Sequence, residues 1–142
     1  MIAARDPDFF ISHDSRDKST VAMPLYYELT NFGYKVWLGK FELKVGDSLF
    51  ESINYGVTNC KHGILILSRH YLENEGWARK EMNALMSRAF SEKGKRAIMP
   101  IWCGIDENDV RRRSAFLADI IAVKFEGDIK PVVDQISSAV PR

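Results

Sequence analysis

An aromatic residue and an acid that could act together, Trp77 and Glu81, stand four positions apart in the sequence. Residues at that spacing share one face of a helix, so a helix that includes both places an indole beside a carboxylate. A carboxylate at the mouth of a cleft can stabilise a positive charge that develops on a substrate. The same acid can instead be a solvated side chain that complements the positive end of the helix dipole, and Trp77 can be a core residue.

Two other polar segments are candidates for binding a ligand. His13, Asp14 and Ser15 follow an apolar run, and they either bind a ligand or cap the next helix. Ser48, with Glu51 three residues later, matches a capping box and predicts the start of a helix. Backbone amides at a helix start favour phosphate, although Asp47 in this segment opposes a phosphate by its charge.

Five apolar segments that alternate with helical periodicity predict the architecture that must position these residues. The predicted strands are residues 9–11, 34–38, 63–67, 97–102 and 120–125. Helical spacing of apolar residues predicts helices over residues 18–32, from Ser48, from Trp77 and over 129–140, with a weaker helix after the fourth strand. Pro24 either starts the first helix or bends it, and Pro100 confines the fourth strand to an edge or a strand end.

Alternation of strand and helix predicts an α/β fold in which helices cover both faces of a parallel sheet. We expect a flavodoxin-like three-layer sandwich with a five-stranded parallel sheet in the order 2-1-3-4-5. In such sheets ligands bind outside the carboxyl ends of the strands, where the strand order reverses. The loops after the first three strands, including the long loop from Gly39 to Ser48, therefore define the candidate site.

Several of these segments, in this order, resemble bacterial Toll/interleukin-1 receptor (TIR) domains. Residues 9–13, with Ser15 and Asp17, resemble the opening of the family, and residues 36–38 and 41–49 resemble its second strand and BB loop. Residues 64–68 resemble its third strand, and Trp77 and Glu81 match its tryptophan and catalytic glutamate. The resemblance extends from about Asp8 to Val140.

The resemblance implies an NAD+ glycohydrolase or cyclase that cleaves the bond between nicotinamide and ribose, in bacterial antiviral defence or immune signalling. Glu81 is then the catalytic residue, NAD+ is the substrate and no separate cofactor is implied. The candidate substrate-binding residues are His13, Asp14, Ser15, Lys44, Ser48 and Trp77. Family members commonly assemble, which implies self-association through the loop from Gly39 to Ser48. Gly39 and Lys40 depart from the family's usual acidic pair, which alters the charge of that junction.

Two other functions are compatible with parts of the pattern. A non-catalytic TIR scaffold would act by self-association alone, and Phe41 and Leu43 would suit it if their side chains were exposed. A two-component receiver domain shares the topology, but it needs an aspartate at the end of the third strand, where this chain has Ser68. The receiver interpretation is therefore disfavoured.

Composition and charge exclude several classes of partner. Lys and Arg number 20 against 19 Asp and Glu, so no strong field attracts nucleic acid, and no apolar run is long enough to span a membrane. The histidines and the two cysteines lack ligand-like spacing, so we expect no metal site and no disulfide framework. The first six residues do not read as a secretory signal. We expect one TIR domain over residues 1–142 in the cytoplasm, either alone or as a module of a longer protein.

Overall fold

The computed structural model of the chain describes residues 7–93 and 98–141. The expectation about the first six residues and the assignment of Ala97 to a strand lie outside this part. All strand pairs within it are parallel, and the strands are β1 (Phe9–Asp14), β2 (Val36–Trp37), β3 (Glu42–Leu43), β4 (His62–Leu67), β5 (Ile98–Cys103) and β6 (Val123–Phe125).

The main sheet has the order β2-β1-β4-β5-β6, which confirms the predicted 2-1-3-4-5 arrangement of five principal strands. The additional strand β3 lies in the loop that the sequence predicted as irregular, and it pairs with His13 and Asp14. It forms because β1 continues to Asp14, whereas β2 pairs only with Phe9 and Phe10. The far half of β1 therefore has a free edge, which β3 occupies.

Two apolar layers cover the sheet because neighbouring side chains of β1 point to opposite faces. Phe10 belongs to the layer that contains α2 (Leu49–Asn59), α4 (Glu81–Lys93) and the short helices α3 (Arg69–Leu72), α5 (Glu107–Arg113) and α6 (Ala115–Ala118). Phe9 and Ile11 pack on the other face with α1 (Met23–Asn31) and α7 (Ile129–Ala139). The three-layer α/β fold is confirmed. No helix in the described part is both long and apolar enough to cross a membrane.

Both prolines that interrupt the sequence pattern have a local explanation. Pro24 lies in the first turn of α1, directly after a π-helical segment, Lys18–Ala22. Proline inside a helical path removes one backbone hydrogen bond and crowds the preceding turn, and the wider π-helical turn lies at that point. Pro100 lies in β5, between β4 and β6, so the expectation of an edge strand is wrong. The short β6 pairs only with residues 101–103 of β5, which leaves the ladder open beside Pro100.

The predicted helix from Trp77 through Glu81 is interrupted. Trp77 lies in a 3₁₀ turn, Glu75–Ala78, Arg79 is extended, and α4 begins only at Glu81. A continuous helix would carry Glu81 toward the core beside Trp77, where an unpaired charge is costly. The extended Arg79 instead separates a buried indole from an exposed carboxylate, so the shared face predicted for the two residues is absent.

Candidate active site

A cavity of about 670 Å³ opens at the carboxyl ends of β1, β3 and β4. Its walls are residues 14–16 after β1, residues 43–50 around the start of α2, and residues 70, 73–76 and 79 after β4. This is the edge of the sheet that the topology predicts for a ligand. Of the predicted site residues, Asp14, Ser15, Lys44 and Ser48 line the cavity, whereas His13, Trp77 and Glu81 do not.

Asp14 is held by Arg16 on the wall of the cavity. The Arg16 Nε and Nη2 groups donate to the two carboxylate oxygens of Asp14 at 2.9 and 3.0 Å, and the Arg16 backbone N–H donates to Oδ1 at 2.9 Å. The Arg16 side chain is the main reason that the pKa of Asp14 lies below its usual value. Asp14 is therefore an ionised acceptor whose principal partner is already in place.

Lys44 begins a tight turn in the part of the cavity wall formed by residues 43–50. The Lys44 backbone N–H donates to Asp47 Oδ2 at 2.9 Å, and the Asp47 N–H donates to the Lys44 carbonyl at 3.0 Å. Gly46 adopts a φ of 95° in this turn, which disfavours a residue with a side chain. The Lys44 side chain is exposed at the cavity, where its ammonium group can reach an anionic ligand.

Ser48 is the N-cap of α2, as its sequence position predicts. Its Oγ accepts from the Glu51 backbone N–H at 3.1 Å, which satisfies one unpaired donor of the first helical turn. Ser48 also lines the cavity, so capping does not remove it from the wall.

His13 lies inside the fold beneath the cavity. Its side chain is fully buried, and its Nδ1 lies 3.0 Å from the Ile11 carbonyl, to which the neutral ring donates. Burial lowers the pKa of His13, so the ring is uncharged at neutral pH. The described structure thus gives His13 no contact surface for a ligand.

Trp77 is a packing residue in this structure. It is only 4% exposed, its Nε1–H donates to the Tyr71 carbonyl at 3.1 Å, and its ring meets Tyr71 edge-on. The Tyr71 hydroxyl is in turn 2.7 Å from Ser12 Oγ. The expectation that the Trp77 face receives a ring of the dinucleotide is therefore corrected, since that face is covered by the core.

Glu81 stands beside the cavity rather than within its wall. Its side chain is 55% exposed, and Arg79, which does line the cavity, donates from Nε to Glu81 Oε1 at 3.1 Å. The pKa of Glu81 lies below its usual value because its own backbone N–H and then the Arg79 side chain donate to the carboxylate. Glu81 is thus an ionised acid at the first residue of α4, one hydrogen bond away from the cavity.

The cavity wall includes Phe50 and Arg79, which the sequence pattern did not single out, and His70, which lies in the loop predicted after the third strand but had no assigned role. The Arg79 guanidinium lies 4.4 Å from the centre of the Phe50 ring, a cation–π contact. His70 has a buried Nδ1 without a hydrogen-bond partner among the described residues. The sequence does carry a signal for Arg79, because this cationic residue stands two positions before Glu81, the candidate acid. Phe50 had no such signal, because its place on the wall follows from how the loops converge.

The residues proposed for the alternative functions have other roles here. Phe41 and Leu43 are 1% and 4% exposed, so they belong to the core and do not form the exposed patch expected for a scaffold. Ser68 caps α3 and donates to Asp17 Oδ2. Cys103 has a pKa raised to about 12 by burial, which keeps it a thiol at neutral pH. No group of three potential metal ligands occurs within residues 7–93 and 98–141.

The model of the TIR domain family matches residues 9–137. The 2′ cyclic ADP-D-ribose synthase BtTIR of Bacteroides thetaiotaomicron is 41% identical over 82% of this chain and 39% of its own length. The NAD+ hydrolase TcpC of Escherichia coli is 40% identical over 82% of this chain and 38% of its own length. The NAD+ hydrolase PdTIR of Paracoccus denitrificans is 34% identical over 86% of this chain. The chain thus spans about two fifths of the length of these relatives.

Solved structures agree on the fold. The TIR domains of the activated Roq1 resistosome align with a TM-score of 0.65 and 19% identity over 94% of this chain and 98% of theirs. A metazoan TIR-STING receptor from C. gigas aligns with a TM-score of 0.70 and 16% identity over 100% of this chain and 42% of its own. With a family match over most of its length and relatives above one third identity, this chain belongs to the TIR domain family.

Proposed function

We propose that this domain cleaves the N-glycosidic bond between nicotinamide and ribose in NAD+, with the Glu81 carboxylate as the catalytic group. The observation that carries the proposal is an ionised acid beside a cavity of about 670 Å³, hydrogen-bonded to a residue of its wall. Relatives named as NAD+ hydrolases and 2′ cyclic ADP-D-ribose synthases support the choice of substrate.

The chemistry needs little more than a well-placed anion. Nicotinamide leaves as a neutral base, so its departure requires no general acid. The ribose then develops oxocarbenium character, which a carboxylate stabilises by charge and by accepting hydrogen bonds from the sugar hydroxyls. The lowered pKa of Glu81 keeps that carboxylate ionised at neutral pH. Water at the ribose carbon gives ADP-ribose, whereas a hydroxyl of the same molecule gives a cyclic product.

Four of the predicted residues are proposed to bind the rest of the substrate. Lys44 supplies a cation for the phosphates, and Ser15 and Ser48 supply hydroxyl groups. Asp14, fixed by Arg16, accepts hydrogen bonds from a sugar. The turn amide of Asp47 already donates to Lys44, so side chains rather than that amide are assigned to the phosphates.

Self-association is proposed to complete the site. Glu81 is more than half exposed, so a substrate that reaches it is left open to solvent on one side of a single copy. The loop from Gly39 to Ser48 carries the fully exposed Val45 next to the cavity, and a second copy that covers Val45 would also shield the substrate. The same exposed valine supports the second candidate, a scaffold that assembles without catalysis. Cys60 and Cys103 form no disulfide in the described structure, which is consistent with a cytoplasmic setting.

Incubation of the purified domain with NAD+ tests the proposal. Nicotinamide, ADP-ribose and cyclic products are separated by chromatography and identified by mass, at dilute and at concentrated protein. We expect nicotinamide release in step with loss of NAD+, and a higher specific activity in the concentrated sample. NAD+ that stays intact at both concentrations would overturn the enzymatic function and leave the scaffold.

A further inference from the structure

Arg79 is the residue that joins the proposed acid to the cavity. Its side chain lines the cavity, its Nε–H donates to Glu81 at 3.1 Å, and its guanidinium stacks on the Phe50 ring at 4.4 Å. A lone exposed ion pair contributes little to stability. The cation–π contact with Phe50, together with the hydrogen bond to Glu81, restricts the guanidinium at two points.

Only one edge of that guanidinium is engaged among the described residues. The hydrogen bond to Glu81 uses Nε, and no other side chain among residues 7–89 and 98–141 accepts from the two terminal nitrogens. An arginine carries five N–H donors in a planar fork, and such a fork binds phosphate oxygens in pairs. The terminal edge of Arg79 is therefore free for an anion in the cavity.

The neighbouring charges leave Arg79 well suited to receive phosphate. Of the other wall cations, Arg16 is committed to Asp14, and Lys44 is a flexible point charge on a separate loop. Asp14 and Asp47 are themselves bonded to partners, so neither is an unpaired carboxylate. Glu73 and Glu75 add negative charge to the wall and repel a dianionic ligand. Binding of such a ligand therefore needs a nearby guanidinium to offset that repulsion.

We propose that Arg79 is a positioning residue that binds the pyrophosphate of the dinucleotide through its terminal nitrogens while its Nε orients Glu81. This inference rests on the proposed NAD+ cleavage. The nicotinamide ribose is attached directly to one of the two phosphates, so the anion that faces its reacting carbon must lie one sugar away from the phosphate. The planar guanidinium of Arg79, with phosphate on one edge and Glu81 on the other, sets the distance between the Glu81 carboxylate and the phosphate.

Binding of ADP-ribose, which carries the pyrophosphate but has no bond to cleave, tests the phosphate contact by calorimetry. We expect Arg79→Ala to weaken binding at least about tenfold, since a hydrogen bond to a charged group is lost. Arg79→Lys, which keeps the charge but not the fork, should recover only part of the affinity. Lys80→Ala, which removes an exposed neighbouring cation that does not line the cavity, should bind like the wild type.

Steady-state kinetics with NAD+ test the effect on Glu81. Arg79→Ala should raise KM and lower kcat. The fall of kcat/KM at low pH should move to higher pH in this variant, because Arg79 is one cause of the low pKa of Glu81. Wild-type affinity for ADP-ribose in Arg79→Ala would overturn the proposal, as would a wild-type protein that binds no ADP-ribose. A wild type that binds ADP-ribose yet releases no nicotinamide would end the proposed function while the Arg79 contact stands.

Discussion

At the scale of single residues, the molecule separates two side chains that the sequence places four positions apart. Trp77 is buried against Tyr71, and Glu81 is exposed and held by Arg79. The buried Trp77 indole anchors the 3₁₀ turn, and the extended backbone of Arg79 then places Glu81 at the cavity rim. The tryptophan therefore acts on the site through the backbone that it anchors, and not through contact with a ligand.

Replacement of Trp77 by phenylalanine tests this structural role. Trp77→Phe removes one of the donors to the Tyr71 carbonyl, which also accepts from the Asn74 N–H, and it places a smaller ring in the core. We therefore expect the free energy of unfolding to fall by about 1–3 kcal/mol. The KM for NAD+ of the folded fraction should stay within about threefold of wild type. Urea unfolding and initial rates measure the two quantities. Unchanged stability with a strongly raised KM would instead indicate that the ring contacts the substrate.

The protonation state of Glu81 sets a second expectation, for the pH dependence of the reaction. The folded pKa of Glu81 lies below its ordinary value of 4.5, so the carboxylate stays charged as the pH falls toward that value. The value of kcat/KM should therefore be level between about pH 5.5 and 8 and fall only at lower pH. Rates of nicotinamide release at constant ionic strength check this. A loss of activity centred near neutral pH would assign the essential ionisation to another group.

At the scale of elements, the site depends on how α2 packs on the sheet, since α2 follows directly from the cavity wall. Gly56 of α2 lies against Phe10 of β1, and an added Cβ would meet the ring at 2.6 Å. Gly39, in contrast, is exposed, and an added Cβ there would meet nothing within 4 Å. The two glycines thus separate the effect of close packing from that of backbone freedom.

Alanine at these two positions should act in opposite directions. An alanine in a helix is ordinarily more stable than glycine by about 0.5–1 kcal/mol. We expect Gly56→Ala to destabilise the fold by about 1–3 kcal/mol because the core is overpacked, and Gly39→Ala to be neutral or slightly stabilising. Thermal and urea unfolding provide the comparison. A Gly56→Ala variant as stable as wild type would mean that α2 is not pressed against Phe10.

The elements also differ in how well the sequence could predict them. Buried strands such as β4 were predictable because their apolar residues are continuous, and the α2 start was predictable because Ser48 caps it. The strand β3 was not, because it depends on an edge of β1 left free by a short β2. The break before Glu81 was not predictable either, since helical spacing continues through it. Cavity residues such as Phe50 become neighbours of Arg79 only through tertiary packing.

At the scale of the whole molecule, the cavity is bordered by an exposed acid and by an exposed apolar loop tip. Val45 is fully exposed and lines the cavity, and Glu81 is open to solvent beside the cavity. A single copy therefore leaves a substrate accessible to water at the reacting end. Lys40 in the same loop contacts Trp37 and Tyr55 by cation–π interactions, so it is held against its own domain.

A charge at the loop tip should separate assembly from folding. We expect Val45→Asp to leave the melting temperature unchanged, because the side chain has no buried contact to lose, and to abolish the rise of specific activity with protein concentration. Val45→Thr, which keeps the shape without a charge, is the matched control. Sedimentation and activity are measured over the same concentration range. A Val45→Asp variant that associates and is activated like wild type would place the interface elsewhere.

The most direct test of the account is the rate of nicotinamide release by Glu81→Gln, compared with wild type at the same protein concentration. Glu107→Gln is the control, because Glu107 is also a first-turn acid of a helix bonded to an arginine, Arg111, and lies away from the cavity. We predict a loss of about a hundredfold or more for Glu81→Gln, with unchanged folding and a wild-type rate for the control. Equal rates for Glu81→Gln and wild type would contradict the assignment of Glu81 as the catalytic carboxylate.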